Sequence, residues 1–167
     1  PQVPPAADVV LVESTYGNRL HPAEDAQARL GQILRNTFKR GGSVLLPSFA
    51  VGRAQALLLL LQRLRNAGEL PLDVPIWLDS PMAEQATELT VKHARLLRIS
   101  ASEARSLTDR VRYVTKQAQS VKLAASLAAP RARPAVIISA SGMATGGRVL
   151  HYIETLAPQP RHHIAFP

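Results

Sequence analysis

The sequence predicts an α/β domain: a doubly wound, three-layer α/β/α fold on a mainly parallel sheet of about five or six strands. Three observations carry that prediction. Short apolar runs alternate with longer stretches of helical spacing along the whole chain. The runs, such as Val-Leu-Leu at 44–46 and Val-Ile-Ile at 136–138, lack polar alternation, as strands covered on both faces do. Small-residue turns close the runs and lead into helices, as right-handed β–α–β crossovers require. A length of 167 residues, with 46% hydrophobic and 19% charged, suits one domain over 1–167 with a proper core.

Residues 1–7 are proline-rich and read as an extended entry segment. Asp8 to Val12 is the first strand candidate, which places Glu13 at its carboxyl end. Pro22 to Lys39 has helical spacing, with Ala26, Leu30, Ile33 and Leu34 on one face. Pro22 suits the first helical position, Glu24 and Asp25 the first turn, and Gly41-Gly42 the C-cap. Ser43 to Leu46 is the central strand, and the helix after it runs from about Arg53 to Asn66, closed by Gly68. Val74 to Leu78 is a strand stopped by Asp79-Ser80-Pro81, a natural N-cap for a helix over Met82 to His93. A further helical stretch extends to about Leu107, and Arg112 to Val114 is a brief strand. Ser120 to Leu127 is helical, Ala135 to Ser139 is a strand, and Arg148 to Thr155 is the last helix. His162 to Phe166 is the final strand candidate.

Composition excludes several classes. No apolar run is long enough to span a bilayer, and nothing resembling a signal peptide opens the sequence. With no cysteine, disulfides and thiolate metal sites are excluded. A cytoplasmic protein is expected. Net charge is +8, and 16 of the 20 basic residues are arginine, the better phosphate fork. That balance suits nucleic acid, although a GC-rich genome would write the same arginine excess.

In a parallel sheet the carboxyl ends of the strands share one edge. Here that edge would collect Glu13-Ser14-Thr15, Ser48 with Arg53, Asp79-Ser80, and the small-residue stretch from Ser139 to Gly147. Strand, glycine turn and helix N-terminus together suit an anion, so the edge is a candidate phosphodiester cradle. No His-Glu-x-x-His or His-x-His-x-Asp-His set exists, and the five histidines are scattered. His162 and His163 fall in a strand, where neighbours face opposite sides. No Walker lysine, Gly-x-Gly-x-x-Gly or Gly-x-Ser-x-Gly is present.

Four segments resemble the β-CASP domain of metallo-β-lactamase-fold RNA-processing nucleases: Val12-Glu-Ser-Thr-Tyr-Gly-Asn-Arg19, Leu46 to Gln55, Trp77-Leu-Asp-Ser-Pro-Met-Ala83, and Ile137 to Arg148. They occur in the family's order and span nearly the whole chain. The resemblance implies a parent enzyme in which a metallo-β-lactamase domain of the same chain holds two zinc ions. The β-CASP domain caps it, and RNA lies in the cleft between them. Glu13 matches an acidic family position that supports an active-site histidine, and glutamate there resembles the RNA-directed branch. Ser48, Arg53, Ser80, Ser141, Gly142, Gly146, Gly147 and Arg148 are the matching substrate-side candidates.

The family's zinc-binding histidine motifs have no counterpart here, so the expectation is a cap that holds no metal and does not cut RNA by itself. The parent's homo-oligomerisation is left open. Two other readings compete: a free-standing α/β binding or scaffold module, and a phosphate-ester hydrolase built on the Glu13 edge.

Overall fold

A computed structural model describes residues 3, 5–20 and 23–167. The first helix, α1 (Ala26–Lys39), starts where Asp25 accepts hydrogen bonds from the backbone N–H groups of Gln27 and Ala28. Asp25 is thus the N-cap rather than a first-turn acid. Pro22, expected at the first helical position, lies outside the described residues, as does His21. The helix ends in a Schellman motif: Gly41 N–H donates to Phe38 and Gly42 N–H to Thr37. Gly41 takes φ 68°, the left-handed conformation that a Cβ would penalise.

Strand β1 (Val44–Pro47) follows, then α2 (Arg53–Asn66), β2 (Ile76–Asp79) and α3 (Pro81–Lys92). A single 3-10 turn at Ala94–Leu96 and the short α4 (Ala101–Ser106) lead to β3 (Val111–Tyr113). The chain closes with α5 (Gln117–Ala128), β4 (Val136–Ser139), α6 (Val149–Leu156) and β5 (His163–Ile164). The expected three-layer α/β/α architecture is what forms. The sheet has five strands in the order β3-β2-β4-β1-β5, each pair parallel.

The strands β2, β4 and β1 each feed two cores. Val44, Leu46, Ile76, Leu78, Val136 and Ile138 face one side, packing with leucines of α1 and α2 and with Ala83 of α3. Leu45, Ile137 and the half-buried Trp77 face the other, against Leu127 of α5 and Val149, Tyr152 and Leu156 of α6. Burial on both faces is why the strands read as continuous apolar runs. Each fully buried leucine of α2 contributes about 1.5–3 kcal/mol.

One expected strand is absent. Asp8 to Val12 forms no strand among the described residues, and Val9, Val10, Leu11 and Val12 are all exposed. Its composition favours a strand, but a strand needs a neighbour, and this segment pairs with none of the five. Glu13 therefore does not stand at a strand end of this sheet.

The β1–β5 edge is closed by contact too tight for a side chain. A Cβ on Gly42 would lie 1.8 Å from the carbonyl oxygen of Arg161. Beside it, buried His162 accepts the Ser43 N–H on Nδ1 at 2.9 Å, and burial lowers its pKa. We expect Gly42→Ala to destabilise the fold by about 3 kcal/mol, because β5 must move off β1 to admit one methyl group. Urea unfolding measures this; an unchanged midpoint would show that the edge can yield freely.

A second expectation concerns α4. The Glu103 carboxyl is held down to about 2, first by the Ser100 N–H, then by Arg63 and the Ser100 hydroxyl. Its ordinary value is 4.5, so its stabilisation is complete above that pH and is lost as the pH falls toward 2. Glu103→Gln should reduce the slope of stability against pH between about pH 5 and pH 2. Parallel slopes for the two proteins across that window would exclude this role for Glu103.

Candidate functional site

The carboxyl ends of β2, β4 and β1 lie side by side because those strands are neighbours in the sheet. From β1 the chain leaves through α2, packed on one face; from the adjacent β4 it leaves through α6, packed on the other. Loops that diverge from adjacent parallel strands open a crevice, the place where open α/β sheets bind ligands. Phe49, after β1, and Gly142, after β4, meet there. A Cβ on Gly142 would come within 2.9 Å of the Phe49 ring and backbone nitrogen.

Beside β4 on this edge sits Asp79, the last residue of β2, with no exposed surface. Arg148 Nη1 donates to its Oδ1 at 2.9 Å, and Tyr152 Oη donates to its Oδ2 at 2.6 Å. The same guanidinium donates to the carbonyls of Val114 and Thr115, both at 2.8 Å. Burial first, and then the bond to Asp79, push the Tyr152 phenol upward, so it stays a donor. Arg148 is consequently engaged in tying the ends of β2 and β3 to the start of α6.

Gln55 performs a similar service for the β1–α2 loop. Its Nε2 donates to the carbonyls of Ala50 and Ala83 and to Thr87 Oγ1, while its Oε1 accepts the Gly52 N–H at 2.7 Å. The Arg53 N–H donates to Val51 and the Ala54 N–H to Phe49. The helix mouth that the turn predicts as an anion cradle has thus committed these three N–H groups internally.

The other sequence-predicted residues divide into two groups. Ser48 is buried, with its hydroxyl donating to the Phe49 carbonyl, and Ser80 is the buried N-cap of α3, accepting from Ala83 N–H. Both shape the edge from within. Ser141, Gly142, Gly146 and Gly147 form the loop over β4, and Gly147 packs against the carbonyl of Ala140. Among the described residues, the N–H groups of Gly142, Gly146 and Gly147 donate to no protein group. Arg53 is exposed and lines a groove of about 610 Å³ with Arg29, Leu30, Leu57, Leu60 and His163. Glu13 is fully exposed in the entry segment; Thr15 donates to its carboxylate, and that lowers its pKa.

Around these polar groups the edge is apolar and open. Phe49 and Val51 after β1, Met82 in the first turn of α3 and Met143 after β4 are each more than half exposed. Among the described residues no three His, Asp or Glu side chains converge as a metal site. Sequence reasoning placed Asp79 on this edge without a partner, and it missed Tyr152 and the bonding role of Gln55. Asp79 carried a signal, an acid directly ending an apolar strand.

The architecture defines a class: a doubly wound parallel α/β domain with a crevice at the divergence of β1 and β4. The profile of the Beta-Casp domain matches residues 54–167, and the chain belongs to that family. It is 38% identical to Ribonuclease TTHA0252 of Thermus thermophilus across 99% of this chain and 38% of that protein. It is 34% identical to the transcription termination factor FttA of Pyrococcus horikoshii, across 97% of this chain and 25% of the relative. The probable RNase MJ4 of Methanocaldococcus jannaschii is 30% identical across 93% of this chain and 34% of its own length. The chain therefore spans well under half of each of these relatives.

Replacing Asp79 by Ala should cost about 3–5 kcal/mol, since it strands a mostly buried guanidinium and a buried hydroxyl. Tyr152→Phe, which removes one donor, should cost about 1–3 kcal/mol. A double-mutant cycle by urea unfolding reads their coupling, and additive losses would mean that the two groups act separately.

Proposed function

We propose that this chain is the substrate-capping part of a zinc-dependent ribonuclease, with RNA phosphodiesters running along the edge formed by β2, β4 and β1. Family membership, together with near-complete coverage by a relative named as a ribonuclease, is the observation that carries this reading. Two features of the edge support it. The loop over β4 offers the uncommitted N–H groups of Gly142, Gly146 and Gly147, donors of the kind that surround phosphate oxygens. The exposed Phe49, Val51, Met82 and Met143 form an apolar surface of the sort that another domain covers.

The described residues do not fit a zinc site. On this reading the two zinc ions are held by a metallo-β-lactamase domain elsewhere in the same parent protein, and no step of the hydrolysis is assigned to residues of this chain. Glu13, exposed and bonded to Thr15 among the described residues, is available to support a histidine of that domain. Arg53, exposed at the start of α2 and in none of the ion pairs among the described residues, is a cation available to an RNA phosphate. Arg148 acts indirectly, by fixing the loop that carries the free N–H groups.

Measuring RNA cleavage and bound zinc side by side for this chain and for its full-length parent tests the reading. Zinc and cleavage are expected in the parent and neither in the chain alone; metal-free cleavage by the chain would overturn the proposal. In the parent, Glu13→Ala should lower turnover far more than RNA affinity. Arg53→Ala should weaken RNA binding and flatten its salt dependence by about 0.7 in log–log slope, the single-strand increment for one phosphate contact. An unchanged slope would remove Arg53 from the RNA path.

A further inference from the structure

The end of the sheet where the chain enters β4, β1 and β5 carries a charge pattern that the RNA edge does not account for. Val44 is the register partner of both Val136 and His163, so the loops leading into these three strands lie together. Hydrogen bonds join them: Ser43 Oγ accepts the Ala135 N–H at 3.1 Å, and the Ser43 N–H donates to His162 Nδ1 at 2.9 Å. Lys39 and Arg40 stand before β1, Arg131 and Arg133 before β4, and all four are exposed. Across 39–43, 129–135 and 157–162 there is no Asp or Glu.

None of the ion pairs among the described residues includes any of these four cations. Lys39 and Arg40 have a structural use, since positive charge favours the carboxyl end of α1. Arg131 and Arg133 have no such use at the end of α5, because Arg161 already donates to the carbonyls of Leu127, Ala128 and Ala129 there. Asp73 and Asp109 precede β2 and β3, which lie on the other side of β4, and Glu69 is paired with Arg35. Glu154, two residues before the end of α6, is the acid that precedes the 157–162 loop. Like charges gathered with so little counter-charge repel one another, and an anion relieves that repulsion.

We infer that this end of the sheet is a second RNA-binding surface, which holds the phosphodiester backbone without reading bases. A run of phosphates matches a spread of separate cations, whereas one small anion needs donors that converge on a point. These loops expose no large apolar side chain among the described residues. An amphipathic protein segment or a bilayer therefore has nothing to bury there, and bases have no aromatic ring to stack on. What remains is the sequence-independent attraction of Lys and Arg for phosphate. The choice of RNA over DNA rests on the ribonuclease reading; the charge pattern does not.

Fluorescence anisotropy of a labelled oligouridine, titrated with the folded chain at several salt concentrations, tests this. Saturable binding is expected, with a log–log salt slope that falls by about 0.7 for each phosphate contact removed. The Arg131→Gln/Arg133→Gln double variant should therefore lower the slope by about 1.4. Arg105→Gln/Lys122→Gln removes the same charge from exposed positions outside the three loops and should leave the slope unchanged. Circular dichroism confirms that each variant is folded. Arg53→Ala reports on the opposite edge. A loss there with none in Arg131→Gln/Arg133→Gln supports the RNA edge and overturns this surface, and the reverse supports this surface alone. Poly-glutamate that displaces the probe as well as unlabelled oligouridine of equal charge would assign the surface to an acidic protein and overturn the RNA assignment. Equal losses in the two double variants, or no saturable binding, overturn it too.

Discussion

A carboxylate with no exposed surface dictates much of what surrounds it. Asp79 ends β2 between the ends of β3 and β4, and leaving its charge uncompensated there would cost several kcal/mol. Compensation comes from two residues about seventy positions further on, Arg148 and Tyr152, one turn apart at the start of α6. To reach Asp79 the guanidinium must pass the end of β3, where it also satisfies the Val114 and Thr115 carbonyls. One buried charge thereby sets the position of three elements. Its replacement by apolar residues of like volume need not weaken the fold, since buried ion pairs often gain little net stability. What the pair supplies is placement: it fixes the downstream end of the loop from Ser141 to Gly147.

That placement matters because of how the sheet is wound. β1 and β4 are neighbours, yet their following helices leave to opposite faces, so no helix covers the gap between their loops. The crevice is a consequence of strand order and would exist whatever residues lined it. The residues then decide its character. Phe49 packs on Gly142 and closes the gap at one point, while Gln55 pulls the other side of the loop toward α3. The result is an edge that is rigid beneath and apolar on top, with its uncommitted N–H groups confined to one loop.

Features set by neighbours in the chain were legible in the sequence. α2 runs from Arg53 to Asn66 as its spacing predicts, because its apolar face, its entry turn and its Gly68 end are all local signals. The apolar strands betrayed a doubly covered sheet for the same reason. Asp8 to Val12 has an equally good strand composition and forms none, because strand formation is decided by a partner that spacing does not encode. Arg148 stands among the substrate-side candidates because it ends the family-like segment from Ile137. Its actual partner depends on β2 lying beside β4, a fact of topology that no local pattern contains. Asp79 was placed on the edge by its position, but its pairing with Tyr152 was missed, since Tyr152 looks ordinary without it.

The arginine excess shows the same limit from another side. Composition counts sixteen guanidinium groups equally, but the fold uses them in different ways. Arg161 spends its Nη2 on the final carbonyls of α5, at Leu127, Ala128 and Ala129, where a single lysine ammonium could not span the set. Arg63 holds Glu103, and Arg148 holds Asp79. These groups are fixed inside the protein's own bonding and contribute little to the field that an RNA strand meets. Arg53 and the pair Arg131 and Arg133 lack such anionic partners among the described residues, and they lie at opposite ends of the sheet. A net charge of +8 therefore does not say where an anion gains something, because guanidinium groups already bonded within the fold count in it as much as those that are not.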